Sequence, residues 1–368
     1  MEENQILSNE QLQSKVISFL RFPLIVGVIL IHTQINEIDG VYGDMGAPYL
    51  FNGAYPLYES ILYLFAQILA RIAVPLFFLF SGFLFFYRTE EFTKKVYFTK
   101  IKKRIRTLFI PYLFWNIFFI LVYNVSGILF SGAVKHFIGE GFSIQDWLML
   151  FWDYDASGYP ISYQFWFIRD LMVVVLFTPI IYWLTKKLNY YFPLLLGVLW
   201  FMRWWFNVSG FSIDAFFFFA LGAYFSIKKK NFVELLKPYM VLWGISYVVF
   251  VAITFCFRDY DWIAYTKRAS IVLGIAFVIA LSALCIKTNK WKLNEFLSES
   301  SFFIYAYHVI ALPIIIRVLW LFIPVESDLY VTILYFVWAA LAIVIGLVAY
   351  YILKRWFPTM TAFITGGR

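Results

Sequence analysis

The sequence has few charged residues, few cysteines and only three histidines in a length of 368 residues. Charged side chains make up 14% of the chain, whereas an ordinary soluble domain contains about 25%. Apolar residues make up 62%, and the mean hydropathy is +0.77. This composition argues against a soluble domain and predicts an integral membrane protein.

Both cysteines, Cys256 and Cys285, lie in apolar segments. They therefore indicate neither a disulfide framework nor a metal site built on cysteine, and we expect no metal ion. The N-terminal residues MEENQILSNEQLQ lack the basic region of a secretory signal peptide. We expect the first apolar segment to be retained as a membrane span.

Apolar stretches long enough to cross a bilayer predict an all-α bundle of about ten transmembrane helices. No linker and no change of composition divides the chain, so we expect one membrane domain over residues 1–368. Arg203 and Gly210 leave little room between the fifth and sixth helices, which could instead form a tight or re-entrant hairpin. The predicted helices cover residues 14–36, 60–87, 107–132, 163–185, 191–206, 211–227, 235–256, 267–286, 300–323 and 329–353.

The net charge of +8 is read as a sign of membrane topology, not of a nucleic-acid partner. Most lysines and arginines fall in loops on the side of the N-terminus, and the densest group lies in residues 88–106. Cytoplasmic loops are enriched in these residues. We therefore expect a multi-pass protein of the cytoplasmic (inner) membrane with both termini in the cytoplasm. Residues 37–59 and 133–162 would face outward.

The first predicted helix carries Arg21 and His32, eleven residues apart. At about 100° and about 1.5 Å per residue they share one face and are separated by about 16 Å. Arg21 alone could reach the lipid headgroups, and His32 alone could bond a neighbouring helix. Ionisable residues inside a span usually face a polar cavity, and the pair on one face indicates a functional site.

The second predicted helix carries Arg71 near its middle, where a guanidinium needs an anionic or carbonyl partner. Ser81 and Gly82 interrupt its phenylalanines and permit close approach of either a helix or a ligand. Both interpretations remain open at this point.

The basic loop before the third predicted helix ends with Arg104 and Arg106. Such a juxtamembrane cluster binds anionic lipid headgroups or the phosphates of a nucleotide-like cofactor. The two arginines enter the bilayer edge, and arginine suits bidentate contacts with phosphate.

Polar residues also mark the fourth and ninth predicted helices. Trp166, Arg169 and Asp170 open the fourth, and the charged pair either neutralises itself or lines a polar pocket. An aromatic loop precedes them and fits either sugar binding or an interfacial aromatic belt. In the ninth helix His308 follows Tyr305 by three residues, so the two lie close to one face.

Taken in order, these segments resemble the acyltransferase-3 family of multi-spanning membrane O-acyltransferases. The resemblance covers essentially the whole chain. It rests on the R-x10-H pair formed by Arg21 and His32, and on the stretches PLFFLFSGFLFF, RIRTLFIPY, FWFIRDL and SFFIYAYH. It implies about ten spans, a cytoplasmic acyl-CoA donor and a carbohydrate acceptor on a surface or lipid-linked glycan. Some family members carry a further soluble domain, and we expect direct transfer within the membrane domain here.

The resemblance implies transfer of an acyl group, from acetyl-CoA or another acyl-CoA, to a hydroxyl. His32 would act either as general base or as the carrier of an acyl-imidazole. Membrane lipid and a homo-oligomer are compatible with this expectation. The implied catalytic residues are His32, Arg21 and His308; the cofactor-binding residues are Arg21, Arg71, Ser81, Arg104 and Arg106; the substrate-binding residues are Trp166, Arg169, Asp170 and Tyr305.

Two other classes fit the same composition. A transporter or flippase of a lipid-linked saccharide would also have basic inner loops, outward aromatics and a few charges inside spans. Short or broken spans at corresponding places in the two halves would favour it. A subunit without turnover would use its intramembrane arginines only for packing.

Overall fold

A computed structural model describes residues 8–33, 55–129, 141–322 and 327–367, and within these ranges the chain is helical with no β-strand. Most of the predicted outer loop 37–59 and the first part of the loop 133–162 lie outside the described residues. The helices in chain order are α1 (Asn9–His32), α2 (Pro56–Phe86), α3 (Lys94–Arg104, Ile105–Phe109 and Ile110–Leu129, continuous), α4 (Ile144–Leu150), α5 (Trp166–Leu176), α6 (Thr178–Leu188), α7 (Tyr191–Met202), α8 (Ile213–Ile227), α9 (Phe232–Cys256), α10 (Ile263–Lys287), α11 (Glu295–Phe322), α12 (Asp328–Trp356) and α13 (Pro358–Thr365).

Seven of these helices are long and apolar enough to cross a membrane, namely α1, α2, α3, α9, α10, α11 and α12. Helices α5 and α6 are bent by 63° at their junction and count as an eighth span if taken together. This confirms an all-helical, multi-pass membrane protein. Helices α7 and α8 have 12 and 15 residues and, at about 1.5 Å per residue, fall short of a bilayer core of about 30 Å. The predicted count of ten spans is therefore not confirmed.

Helix α1 begins with a capping box, in which the Ser8 side chain accepts from the backbone of Gln11 and the Gln11 side chain accepts from the backbone of Ser8. Such a cap satisfies two backbone donors that the first turn leaves unpaired. The helix then packs against α2, α10, α11 and α12. It lies parallel to α11, because Ser298 donates to the Ser18 carbonyl at 3.0 Å near one end, while the rings of His32 and His308 are 5.3 Å apart near the other.

Helices α2 and α8 touch backbone to backbone through two glycines. A Cβ atom on Gly82 would lie 2.0 Å from the carbonyl oxygen of Phe219, and one on Gly222 would lie 1.9 Å from that of Leu79. Small residues permit this close approach of membrane helices. Gly82 is therefore a helix-packing residue, which is one of the two roles considered for it.

We expect Gly82→Ala and Gly222→Ala to destabilise the protein, because a methyl group has no space between the two backbones. Overpacking in a well-packed interior costs about 1–3 kcal/mol. Thermal unfolding of the detergent-solubilised variants measures the loss. Gly27→Ala is the matched control, since a Cβ there meets its nearest neighbour, Ala70, at an ordinary 3.5 Å. Equal melting temperatures for Gly82→Ala and Gly27→Ala would contradict the packing role.

Candidate active site

A cavity of about 170 Å³ lies between α1, α2, α3, α5 and α11. Most of its wall is apolar, with aromatic and aliphatic side chains from all but α3. The structure thus brings together four of the residues predicted from sequence and two serines that were not predicted. The polar residues of the wall are Arg21, Ser81, Arg104, Ser298, Ser301 and Tyr305.

Two arginines give this cavity its charge. Arg21 comes from α1, and Arg104 ends the first segment of α3 with its guanidinium 5.8 Å from the centre of the Phe85 ring. Within the described ranges neither arginine forms an ion pair or a side-chain hydrogen bond. Two partly buried guanidinium groups without carboxylate partners are suited to an anionic ligand, above all phosphate.

Ser81 and Gly82 have separate roles although they are neighbours. Successive residues of a helix point about 100° apart. Ser81 therefore lines the cavity while Gly82 faces α8. Gly82 thus has the packing role, and contact of Ser81 with a ligand stays a prediction.

The two histidines lie one turn beyond the cavity on the parallel helices α1 and α11. On α1, Val28 lines the cavity and His32 follows it by one turn; on α11, Tyr305 lines the cavity and His308 follows it by one turn. The centre of the His32 ring lies 5.1 Å from that of Tyr163. His308 is fully buried, whereas His32 is partly exposed.

The hydrogen bond of His308 fixes which of its ring nitrogens carries the proton. Nδ1 lies 2.6 Å from the carbonyl oxygen of Tyr305, and because a carbonyl can only accept, Nδ1 must be the protonated nitrogen. The neutral ring then has a lone pair on Nε2. Nε2 is buried and has no hydrogen-bond partner among the described residues. Since buried polar atoms are normally paired, this nitrogen is available to a ligand.

Arg71 and Arg106 lie outside the wall of the cavity. Arg71 donates to the side-chain oxygen of Gln67 at 2.6 Å and to the carbonyl of Ala66 at 3.0 Å. Arg106 is exposed. Of these two neighbouring arginines, only Arg104 lines the cavity, although nothing in the sequence distinguished it from Arg106. The cofactor-binding roles of Arg71 and Arg106 stay predictions.

The charged pair at the start of α5 neutralises itself. Arg169 Nη2 lies 2.9 Å from Asp170 Oδ1, and both side chains are 3% exposed. Arg169 also donates to the carbonyls of Trp152 and Gly158, which ties the loop before α5 to the helix. Of the two interpretations, mutual neutralisation is the observed one, and the role of the pair in substrate binding stays a prediction.

Trp166 and Tyr305 lie nearer to the cavity. The Trp166 ring is 6.4 Å from that of Phe78, while the Tyr305 hydroxyl donates to the Gln164 carbonyl at 2.6 Å. Tyr305 is held in place by this bond and lines the cavity; Trp166 is outside the lining.

The two serines of the wall were missed from sequence although a signal existed. Ser298, Ser301, Tyr305 and His308 follow one another at spacings of three, four and three residues, which places them on one face of a helix. Extending the Tyr305 and His308 pattern backwards would have found them. No three histidine, cysteine or acidic residues of the described part of the chain lie together as metal ligands would.

Comparison with known proteins identifies the family of the chain. The family described as an acyltransferase domain, acyltransferase-3, matches residues 15–355. The succinoglycan biosynthesis protein ExoH of Rhizobium meliloti (strain 1021) is 25% identical over 363 residues, covering 96% of this chain and 92% of that protein. No solved structure matches the chain. Because the family match spans α1 through α12 almost completely, including both histidines and both cavity arginines, the chain belongs to the acyltransferase-3 family.

Proposed function

We propose that the protein transfers an acyl group, acetyl in the simplest case, from cytoplasmic acyl-CoA to a hydroxyl of a polysaccharide or of its lipid-linked precursor. The observation that carries the proposal is the pairing of His32 with His308 one turn beyond a cavity that contains Arg21 and Arg104. The relative named for succinoglycan biosynthesis supports a carbohydrate acceptor. Both termini and the basic loop 88–106 would lie on the cytoplasmic side of the inner membrane, in keeping with the excess of lysine and arginine in the loops on that side.

The donor would be held at the end of α1 that carries Arg21. Its phosphate groups would contact Arg21 and Arg104, which are free of carboxylate partners in the described structure. The rise from Arg21 to His32 is about 16 Å, comparable to the length of a pantetheine arm. A donor whose phosphates contact the two arginines would therefore have its thioester close to the histidines.

In the proposed reaction an imidazole nitrogen takes the proton of the acceptor hydroxyl, and the hydroxyl oxygen attacks the thioester carbonyl carbon. The carbon–sulfur bond breaks, and the CoA thiolate leaves and receives the proton from the imidazolium. We assign the proton transfer to His32, because charging a fully buried ring such as His308 without a paired anion is costly. His308 would accept a hydrogen bond at Nε2 and so position the acceptor.

Broken or short spans at corresponding places in both halves of the chain would favour the rival transporter. The described ranges contain one sharply bent pair, α5 with α6, and two short apolar helices, α7 and α8, which follow that pair directly in the chain. These helices are adjacent in sequence and not divided between two halves, and the family membership favours the acyltransferase.

His32→Ala should lower turnover by about 100-fold or more, because general-base catalysis contributes on the order of 10²–10⁴ in rate. Release of CoA thiol by the purified protein, with acyl-CoA and glycan acceptor, measures it. His136→Ala, the same substitution at the third histidine of the sequence, is the control. Near-normal turnover of His32→Ala, with His308→Ala inactive, would move the catalytic base to His308.

Transfer through an acyl-imidazole would leave the acyl group on the protein when the acceptor is absent. We expect no such labelling, since His32 acts as a base in the proposed reaction. A single-turnover experiment with radiolabelled acyl-CoA, analysed by peptide mass spectrometry, tests this. A labelled peptide containing His32 that disappears on addition of acceptor would contradict the general-base role.

Arg21→Ala and Arg104→Ala should each weaken acyl-CoA binding about ten- to a hundredfold, because a charge-assisted hydrogen bond contributes about 1.5–3 kcal/mol. Lysine at either position should restore binding only in part, since it lacks the bidentate fork. Calorimetric titration with CoA and with dephospho-CoA measures the effect. Arg106→Ala, at an exposed position two residues further along the chain, should weaken CoA binding less. Unchanged CoA affinity in the Arg21 and Arg104 double alanine variant would refute this site.

A further inference from the structure

A second polar cluster surrounds an irregular segment of α2. This helix is π-helical over Tyr63–Ile68 and 3-10 helical over Leu69–Ile72, and π-helical turns occur frequently at functional sites. The ring of Tyr63 has two cations beside it. Lys267 Nζ lies 4.7 Å from the ring centre, and the Arg258 guanidinium carbon lies 5.9 Å from it.

A third cation, Arg71, belongs to the same cluster. Its guanidinium bends back towards the beginning of α2 to bond Gln67 and Ala66. There it lies close enough to Lys267 for the two positive charges to interact electrostatically. Three cations therefore converge on one turn of irregular helix.

No carboxylate of the described residues forms an ion pair with Lys267 or Arg258. Lys267 forms no ion pair or hydrogen bond through its ammonium group within the described ranges. The Tyr63 hydroxyl is buried and has no partner there either. The carboxylate that acts electrostatically on Tyr63 is that of Asp259, which is exposed. Cation–π contacts with the Tyr63 ring are weak compared with a full ion pair and leave the charges of Lys267 and Arg258 without a carboxylate partner in the described ranges.

The cluster lies at the depth of the histidines and at the edge of the protein. Ala70 packs on Gly27 of α1. Arg71, the next residue, therefore lies at a depth in the bilayer between that of the cavity and that of His32. Lys267 is in the second turn of α10, and Arg258 follows the end of α9. Helix α9 buries little of its apolar surface inside the protein. Arg258 is exposed, and Tyr63 and Lys267 are partly exposed, so the cluster lies at the protein surface beside α9, on a different side of α1 from the cavity.

We propose that Tyr63, Lys267 and Arg258 bind phosphate, and that the occupant is the diphosphate of a lipid-linked saccharide. The Tyr63 hydroxyl and the Lys267 ammonium would donate to phosphate oxygens, and the Arg258 guanidinium would neutralise the remaining charge. The position beside α9 favours a phosphate that arrives on a lipid tail over one dissolved in water. This inference rests on the proposed function, because it gives the acceptor of that reaction an anchor.

Direct binding tests the site without relying on turnover. The full-length protein in phosphatidylcholine nanodiscs would be titrated with a polyprenyl diphosphate and followed by native mass spectrometry. We expect Lys267→Gln to weaken binding about tenfold or more, and Tyr63→Phe to weaken it severalfold. Lys290→Gln, at an exposed lysine just past the far end of α10, should bind as wild type does.

Tyr63→Phe also separates a ligand-binding role from a structural one. The hydroxyl has no partner in the described structure, so its removal should not lower thermal stability, while the aromatic ring and both neighbouring cations remain. Wild-type affinity for polyprenyl diphosphate in both Tyr63→Phe and Lys267→Gln would overturn the site.

Competition identifies the source of the phosphate. Polyprenyl diphosphate should outcompete both phosphatidylglycerol and inorganic pyrophosphate. Equal competition by phosphatidylglycerol would overturn the acceptor assignment in favour of an ordinary anionic headgroup, and equal competition by pyrophosphate would overturn the lipid-borne occupant. CoA binding by the same variants should be unchanged, so a failure of this inference is distinguishable from a failure of the proposed acyltransferase reaction.

Discussion

The parallel contact between α1 and α11 determines where chemistry can occur in this protein. Each helix carries its polar residues on one stripe, with Arg21 and His32 on α1 and Ser298, Tyr305 and His308 on α11. Because the two helices run in the same direction, residues of like depth meet. The arginine lies beside the serines, and one histidine lies beside the other. An antiparallel pair would place the arginine opposite the buried histidine and separate the two imidazoles.

The cost of burying polar groups distinguishes structural residues from candidate functional ones. Arg169 has a carboxylate and two carbonyls as partners, which is what a buried charge requires. In contrast, Arg21, Arg104 and Nε2 of His308 lack such partners in the described ranges. A membrane protein that leaves polar groups unpaired at the depth of the bilayer loses stability unless a ligand satisfies them. The contrast therefore supports the proposal that the reaction takes place at the cavity and the histidines and not at the ion pair.

Sequence periodicity predicted which residues of one helix share a face, but it did not predict which residues of different helices meet. The shared face of Arg21 and His32, and that of Tyr305 and His308, follow from the geometry of a single helix. Their meeting depends on a contact between segments almost 300 residues apart, for which no local pattern exists. The same limit explains Ser81 and Gly82, whose separate roles depend on which neighbours face each residue.

Hydropathy likewise predicted the class of the fold but not the path of every span. It detects apolar residues and has no measure of bending, so the 63° break between α5 and α6 was not foreseen. The hairpin considered for the fifth and sixth predicted helices, which correspond to α7 and α8, rested instead on the little room between them. Nor does hydropathy show that α2 changes its helical form at Tyr63, since the residues there remain apolar on average.

The two anion-binding clusters differ in a way that fits the two substrates of an acyl transfer. Arg21 and Arg104 line the cavity near the first turns of α11, whereas the cluster around Tyr63 lies at the surface beside α9. In the proposed reaction, the water-soluble donor and the lipid-borne acceptor would each have a separate anchor. Both clusters contact α1, the first through Arg21 and the second through Gly27, and His32 lies at the end of this helix. Helices α1 and α2 both reach the two clusters, and in the proposed reaction the imidazole at the end of α1 would lie where the thioester and the hydroxyl meet.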